Sequence, residues 1–191
     1  MTKVSWWSYI APIKQKQNIM RTIETKVYQF SELSEKAKEK AIQDMYDINV
    51  YDPWWEFIYE DANDIGLDIT GFDLRGSIDG GFTYDGLHTC LNILDKHGED
   101  TETYKLAKQF NEDRDKLVAK YSPNNNGTVD PEFHGDFDEE ECDLEEEFRK
   151  ELLEEYLIIL SSEYEYRTSE EAIIEAIEAN EYEFTEDGKL F

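Results

Sequence analysis

Leu144, Phe148, Leu152, Tyr156 and Ile159 recur at steps of four and three through a densely acidic stretch. The segment DFDEEECDLEEEFRKELLEEYL, Asp136 to Leu157, holds twelve carboxylates against two cations. Apolar residues at that spacing lie on one stripe of a 3.6-residue helix. The stretch is therefore predicted to be a long amphipathic helix with its acids facing away from the stripe, and not a disordered tail. A helix of that kind needs a partner surface, so the rest of the chain must supply a core.

Composition allows one. The net charge is −27, with 46 Asp+Glu against 19 Lys+Arg. Acidic disordered chains are poor in aromatics, whereas 14% of these 191 residues are Phe, Trp or Tyr and 39% are hydrophobic. The same charge argues against direct nucleic-acid binding, which draws its affinity from Lys and Arg on phosphates. Cationic partners are expected instead. The charge is uneven: residues 1–30 carry a net of +4, while Asp130 to the end carries −20, 24 acids against 4 cations.

Local patterns give an α+β fold, antiparallel strands or hairpins with several packed helices. TIETKVYQF (Thr22–Phe30) reads as a strand. Ser34 caps a helix with Ala37, Ala41, Ile42 and Met45 on one face. DPWWEFIYEDANDIG reads as a second helix, with Asp52 as cap, Pro53 in the first position and Gly66 as stop. Its Trp54, Trp55, Phe57, Ile58 and Ile65 are expected in the core. LDITGFDLRGSIDGGFTYD predicts two or three antiparallel strands, with a bulge at Gly71 and a tight turn or edge bulge at Asp79-Gly80-Gly81. Two helices follow, one stopped by Gly98 and one with Tyr104, Ala107, Phe110, Leu117 and Tyr121 buried. Thr168 and Glu171 have capping-box spacing before a last helix. Asp187-Gly188 signals a terminal hairpin.

The expected organisation is a basic, aromatic arm over 1–21 and an α+β core domain over 22–121. A Pro/Gly/Asn-rich linker follows over 122–139, then an acidic helical region over 140–191 ending in a β-hairpin. Trp6, Trp7, Tyr9 and Ile10 in the arm cover either a second copy in a homodimer or their own chain. The apolar patch Val4–Ile13 is too short to span a bilayer, which takes roughly 20 residues, and lacks a cleavage site for a signal peptide. No membrane association is expected, and two cysteines, Cys90 and Cys142, suit a reducing compartment.

Enzyme-like motifs are weak. His88-x-Cys90 matches no zinc spacing. Asp136, Asp138, Glu140 and Glu147 fall at positions 1, 3, 5 and 12 of a calcium loop, but Glu141 stands where the loop needs Gly. Cys142 lies among carboxylates that disfavour a thiolate. No cofactor is expected. Mimicry of phosphates fits better. Helical residues four apart are separated by about 6 Å along the axis, the order of the spacing between successive phosphates. Glu140, Glu147, Glu151, Glu154 and Glu155 form such rows, extended by Glu163 and Glu165. A plain solubilising face is the competing reading.

KVYQFSELSEKAKEKAIQDMYDIN, WWEFIYEDANDIGLDITGFDL and SEEAIIEAIEANEYEFTEDGKLF resemble small acidic proteins of bacteriophages and prophages, whose automatic label is antitoxin of a toxin–antitoxin stability system. The resemblance covers Arg21–Asp85 and Thr168–Phe191 and brings no catalytic motif. It implies a phage or mobile-element protein in the bacterial cytoplasm. In that setting DNA-mimic inhibitors of restriction and CRISPR nucleases occur. The leading expectation is therefore an anti-CRISPR or anti-restriction inhibitor on the basic groove of a host nuclease. The alternatives are an antitoxin that neutralises a basic toxin by direct binding, and a metal-dependent hydrolase.

Overall fold

The computed structural model describes residues 24–122 and 127–191. The expected arm over 1–21, with its aromatic residues, lies outside them. The described chain is α+β, with six α-helices and two small antiparallel sheets among those residues. In order these are β1 (Tyr28–Gln29), α1 (Glu35–Asp44), α2 (Glu56–Ile65), β2 (Leu67–Asp73), β3 (Ser77–Phe82), α3 (Gly86–Lys96), α4 (Glu102–Lys120), α5 (His134–Arg167), α6 (Glu170–Ala179) and β4 (Glu183–Phe184). Short 3₁₀ turns occupy Phe30–Glu32 and Pro131–Phe133. No helix among the described residues is long and apolar enough to cross a membrane.

The acidic stretch is helical throughout: α5 runs for 34 residues. Phe148, Leu152 and Tyr156 are buried as the spacing predicts, while Leu144 and Ile159 pack partly exposed against the same cluster. That cluster joins α5 to Ile58 and Ile65 of α2, Leu67 and Ile69 of β2, Cys90 and Ile93 of α3, and Ala107 and Phe110 of α4. Phe148 stacks on Phe110 with ring centroids 4.5 Å apart. Buried contacts thus run across the stretch expected as a linker. Within it, the Asp130 amide donates to the Tyr121 carbonyl at 2.9 Å, and the ring of Tyr121 meets Phe133 and Phe137. Residues 134–139 already belong to α5.

A second cluster brings the two ends of the described chain together. Phe30, Leu33, Ala37, Ala41 and Met45 pack on Ile173, Ile177 and Phe184. Strand β1 pairs with β4, Tyr28 opposite Phe184. The terminal turn at Asp187-Gly188 forms, with a bridge between Phe184 and Leu190.

Several local expectations are corrected. Of the strand expected over Thr22–Phe30, Thr22 and Ile23 lie outside the described residues; among the rest Tyr28–Gln29 is strand, and Phe30 turns inward in the 3₁₀ turn and is buried there. Helix α2 starts at Glu56, since Asp52 and Pro53 are spent on a turn that seats Trp54 in the core; Gly66 does end it, at φ 93°. Phe57 is half exposed, on the outward side of α2. The sheet has two strands, β2 and β3, joined at Leu74–Gly76, and its register shifts between Ile69 and Gly71 as expected. Asp79-Gly80-Gly81 lies inside β3. A Cβ at Gly80 would stand 2.6 Å from the Asp68 carbonyl oxygen and 2.9 Å from Leu153, so glycine lets the hairpin lie against α5. Helix α3 is capped by His97, not ended by Gly98. The last helix is capped by Ser169, whose hydroxyl accepts from the Ala172 amide, while Thr168 closes α5.

Candidate acidic interface

Helix α5 carries fourteen carboxylates and three cations. One face is committed to the core, so the acids divide by what their side of the helix meets. Glu140, Asp143, Glu147, Glu151 and Glu154 follow one another at steps of three and four and are all exposed. From Glu140 to Glu154 the row extends about 21 Å at the helical rise. Its flank faces the groove beside the antiparallel α4. There Asp113, Glu140, Asp143 and Glu147 rim a depression of ≈ 310 Å³ floored by Leu117 and Leu144.

The seven acids singled out in the sequence are not equivalent. Glu147 and Glu151 have no cation partner among the described residues and stand open to solvent. Glu154 is 3.8 Å from Lys150, with both side chains exposed, a contact worth little in water. Glu140 is held: Lys120 Nζ lies 2.7 Å away, and the Tyr121 hydroxyl donates to its Oε1 at 2.8 Å. Those two hydrogen bonds, Lys120 first, keep its carboxyl below the usual range.

Glu155, Glu163 and Glu165 fall off the row. Glu155 is half-buried in a separate cleft of ≈ 460 Å³ with Asp61, His97 and Glu102. Burial raises its carboxyl, and Glu102 adds to the shift. Glu163 accepts from Arg167 Nε at 2.6 Å, and Arg167 Nη1 also donates to the Asn49 carbonyl. The bond to Asn49 ties α5 to the turn after α1, and the ion pair holds Arg167 in place for it. Glu165 is exposed but is separated from Glu154 by Ile158, which is exposed and apolar.

Asp113 and Asp143 join the row without having been singled out. Asp143 follows from helical spacing alone. Asp113 requires the antiparallel pairing of α4 with α5, which a sequence read with a linker between the two helices does not suggest. Exposed carboxylates are not confined to α5: Glu170, Glu171, Glu175 and Glu178 line the outside of α6.

The other chemistry-bearing residues are accounted for by packing. Cys90 is buried, its Sγ 3.1 Å from the Ala107 carbonyl oxygen, and burial pushes its thiol up to about 11. Trp54 and Trp55 meet Phe72 edge-on at 5.8 and 5.9 Å, in an aromatic cluster packed against the core. The residues expected at calcium-loop positions lie within the regular turns of α5. Among the described residues no group of three or more His, Cys, Asp or Glu is placed to hold a metal ion. Comparison with protein-family models, with curated proteins and with solved structures finds no match.

Proposed function

We propose that this chain is a non-enzymatic binding protein whose α5 presents carboxylates in place of phosphates to the cation-lined groove of a nucleic-acid-binding protein. The observation that carries this reading is the row Glu147–Glu151–Glu154 with Asp143. It is exposed, held on a helix whose opposite face is core, and almost without internal cations. Like charges at helical spacing of four cost a few tenths of a kcal/mol per pair. Lysines are available in this chain and are used elsewhere, as Lys120 on Glu140 shows. Leaving the row unpaired keeps it ready for external Lys and Arg. With the phage-protein resemblance, the partner is a host defence nuclease in the bacterial cytoplasm, an anti-CRISPR or anti-restriction role.

The test is capture from bacterial lysate on the immobilised full chain, followed by competition. The captured protein should itself bind duplex DNA or RNA, and added duplex should displace it. Its retention should fall steeply between about 0.05 and about 0.5 M salt, as the screening length contracts. A partner that holds the chain and its nucleic acid together, at any salt, would refute mimicry. A small basic toxin, captured without affinity for nucleic acid, would replace it with the antitoxin reading.

A further inference from the structure

The depression beside the acidic row has an apolar floor, and the chain carries a segment of matching chemistry. Asp113, Glu140, Asp143 and Glu147 rim ≈ 310 Å³ over Leu117 and Leu144, both half-buried. Asp113 accepts from Lys116 and Gln109, and Glu140 from Lys120 and the Tyr121 hydroxyl. Asp143 and Glu147 have no cation partner among the described residues. An occupant must therefore bring apolar side chains for the floor and cations for the open side of the rim.

Residues 1–23 hold both. They contain Lys3, Lys14, Lys16 and Arg21 and no acid, so the other 15 of 19 cations stand against all 46 acids, a net of −31. Trp6, Trp7, Tyr9 and Ile10 lie between Lys3 and Lys14 in sequence. The reach is sufficient. Glu24 lines a cavity with Thr185, Glu186 and Asp187 of the terminal turn. At the helical rise, about 35 Å of α5 and about 15 Å of α6 separate Leu144 from that turn even with the two helices end to end. Trp7 precedes Glu24 by 17 residues, which span up to about 56 Å when extended. Tethering favours a chain's own arm over that of a second copy. A linked segment meets its site at an effective concentration on the order of 1 mM, above that of a second copy in ordinary solution.

We infer that the amino-terminal arm of this chain, residues 1–21, occupies the acid-rimmed groove between α4 and α5. Its aromatic residues serve the floor, and its lysines serve Asp143 and Glu147. Held there, the arm competes with outside cations for one end of the acidic row and is an autoinhibitory segment. That consequence rests on the mimic reading; the docking itself does not.

The experiment is paramagnetic NMR on the full chain with no partner present. Cys142 is exposed beside Asp143 and Cys90 is buried, so a nitroxide maleimide attaches at Cys142. In ¹⁵N-labelled protein the indole N–H signals of Trp6 and Trp7 should broaden away, and return when the nitroxide is reduced. Asp143→Lys with Glu147→Lys should abolish the broadening. Glu175→Lys with Glu178→Lys makes the same change of charge on α6 and should leave it intact. Absence of broadening overturns the inference, and so does an equal loss in both pairs, which would show attraction to net charge alone. Broadening seen only between a nitroxide-bearing ¹⁴N chain and a ¹⁵N chain without nitroxide assigns the arm to a second copy and also overturns it. For a captured partner, Lys14→Glu with Lys16→Glu should strengthen binding about tenfold, as when about nine chains in ten are closed by the arm. Unchanged affinity overturns the autoinhibitory role. Capture of no nucleic-acid-binding protein counts against the mimic reading and leaves the docking to the NMR result.

Discussion

At the scale of single residues, the structure separates side chains that look alike in sequence. Gly98 and Gly188 are both turn glycines, yet a Cβ at Gly98 meets nothing within 4 Å while one at Gly188 would collide with the Ala37 carbonyl. Gly188 also sits at φ 81°, where an L side chain is strained. Gly188→Ala should lower stability by about 1–3 kcal/mol, and Gly98→Ala should stay within about 0.5 kcal/mol. Urea midpoints of the two variants check this directly. The cysteines differ in the same way: Cys90 is fully buried with a raised thiol, and Cys142 is exposed. A maleimide should label one thiol per native chain quickly. The second should react only as fast as the central core opens, and rapid double labelling of native protein would contradict the packing of α3 on α4.

At the scale of elements, α5 is where function and fold can be pulled apart. Glu147, Glu151 and Glu154 lie on its exposed flank, while Glu155 belongs to the cleft and is left untouched. Converting the three to Lys should leave thermal stability equal or slightly higher, since each relieved like-charge pair returns about 0.2–0.5 kcal/mol. Capture of a groove-type partner should be lost, because reversed charges would face its cations at several kcal/mol. A triple variant that folds and still binds at full strength would reduce this flank to a solubilising face. The helix itself was legible because Leu144, Phe148, Leu152 and Tyr156 repeat at its period; α1 was legible from its Ser34 cap and its stripe, and α3 and α6 as helices but not in the residues that bound them. Strand β1 lies within the stretch expected over Thr22–Phe30 and β4 at the expected terminal hairpin, but each holds two residues, and their pairing with each other, being tertiary, was not legible. Of the candidate site, spacing alone gave the row Glu140–Glu147–Glu151–Glu154. It could not foresee that Arg167 would occupy Glu163, or that Glu155 would turn into a cleft with Asp61 and His97. Those outcomes depend on chain segments far apart in sequence.

At the scale of the whole molecule, charge should govern how stability responds to pH. Glu145 and Glu155 have carboxyls raised chiefly by burial. Their folded values lie above the unfolded ones, so ionisation costs the folded state stability, and the cost is relieved as pH falls through the folded values. Asp73, Asp113, Glu140 and Asp187 are lowered by hydrogen bonds, Asp187 to about 2 by Thr185 and Lys189. They contribute stability above their unfolded values that is lost only as pH falls through the lowered ones. Self-repulsion at a net −27 also relaxes toward acid. The melting temperature should therefore rise from about pH 8 to about pH 5 and then fall, and at pH 7 added salt should raise it. A melting temperature that falls steadily from about pH 8 to about pH 5 would contradict this, because the lowered acids contribute no pH dependence in that window. The pairing of Tyr28 with Phe184 has a further consequence, for the order in which the protein assembles. Strand β1 meets β4 across almost the entire described chain, so this contact closes a very long loop, and it is economical only once the central cluster has drawn the ends near. The closure should form last and open first, as a unit of low local stability. Amide hydrogens of Tyr28, Ile177 and Phe184 should exchange with solvent well before those of Leu152 and Tyr156, with the end-to-end seam behaving as a latch that releases while the acidic helix stays folded.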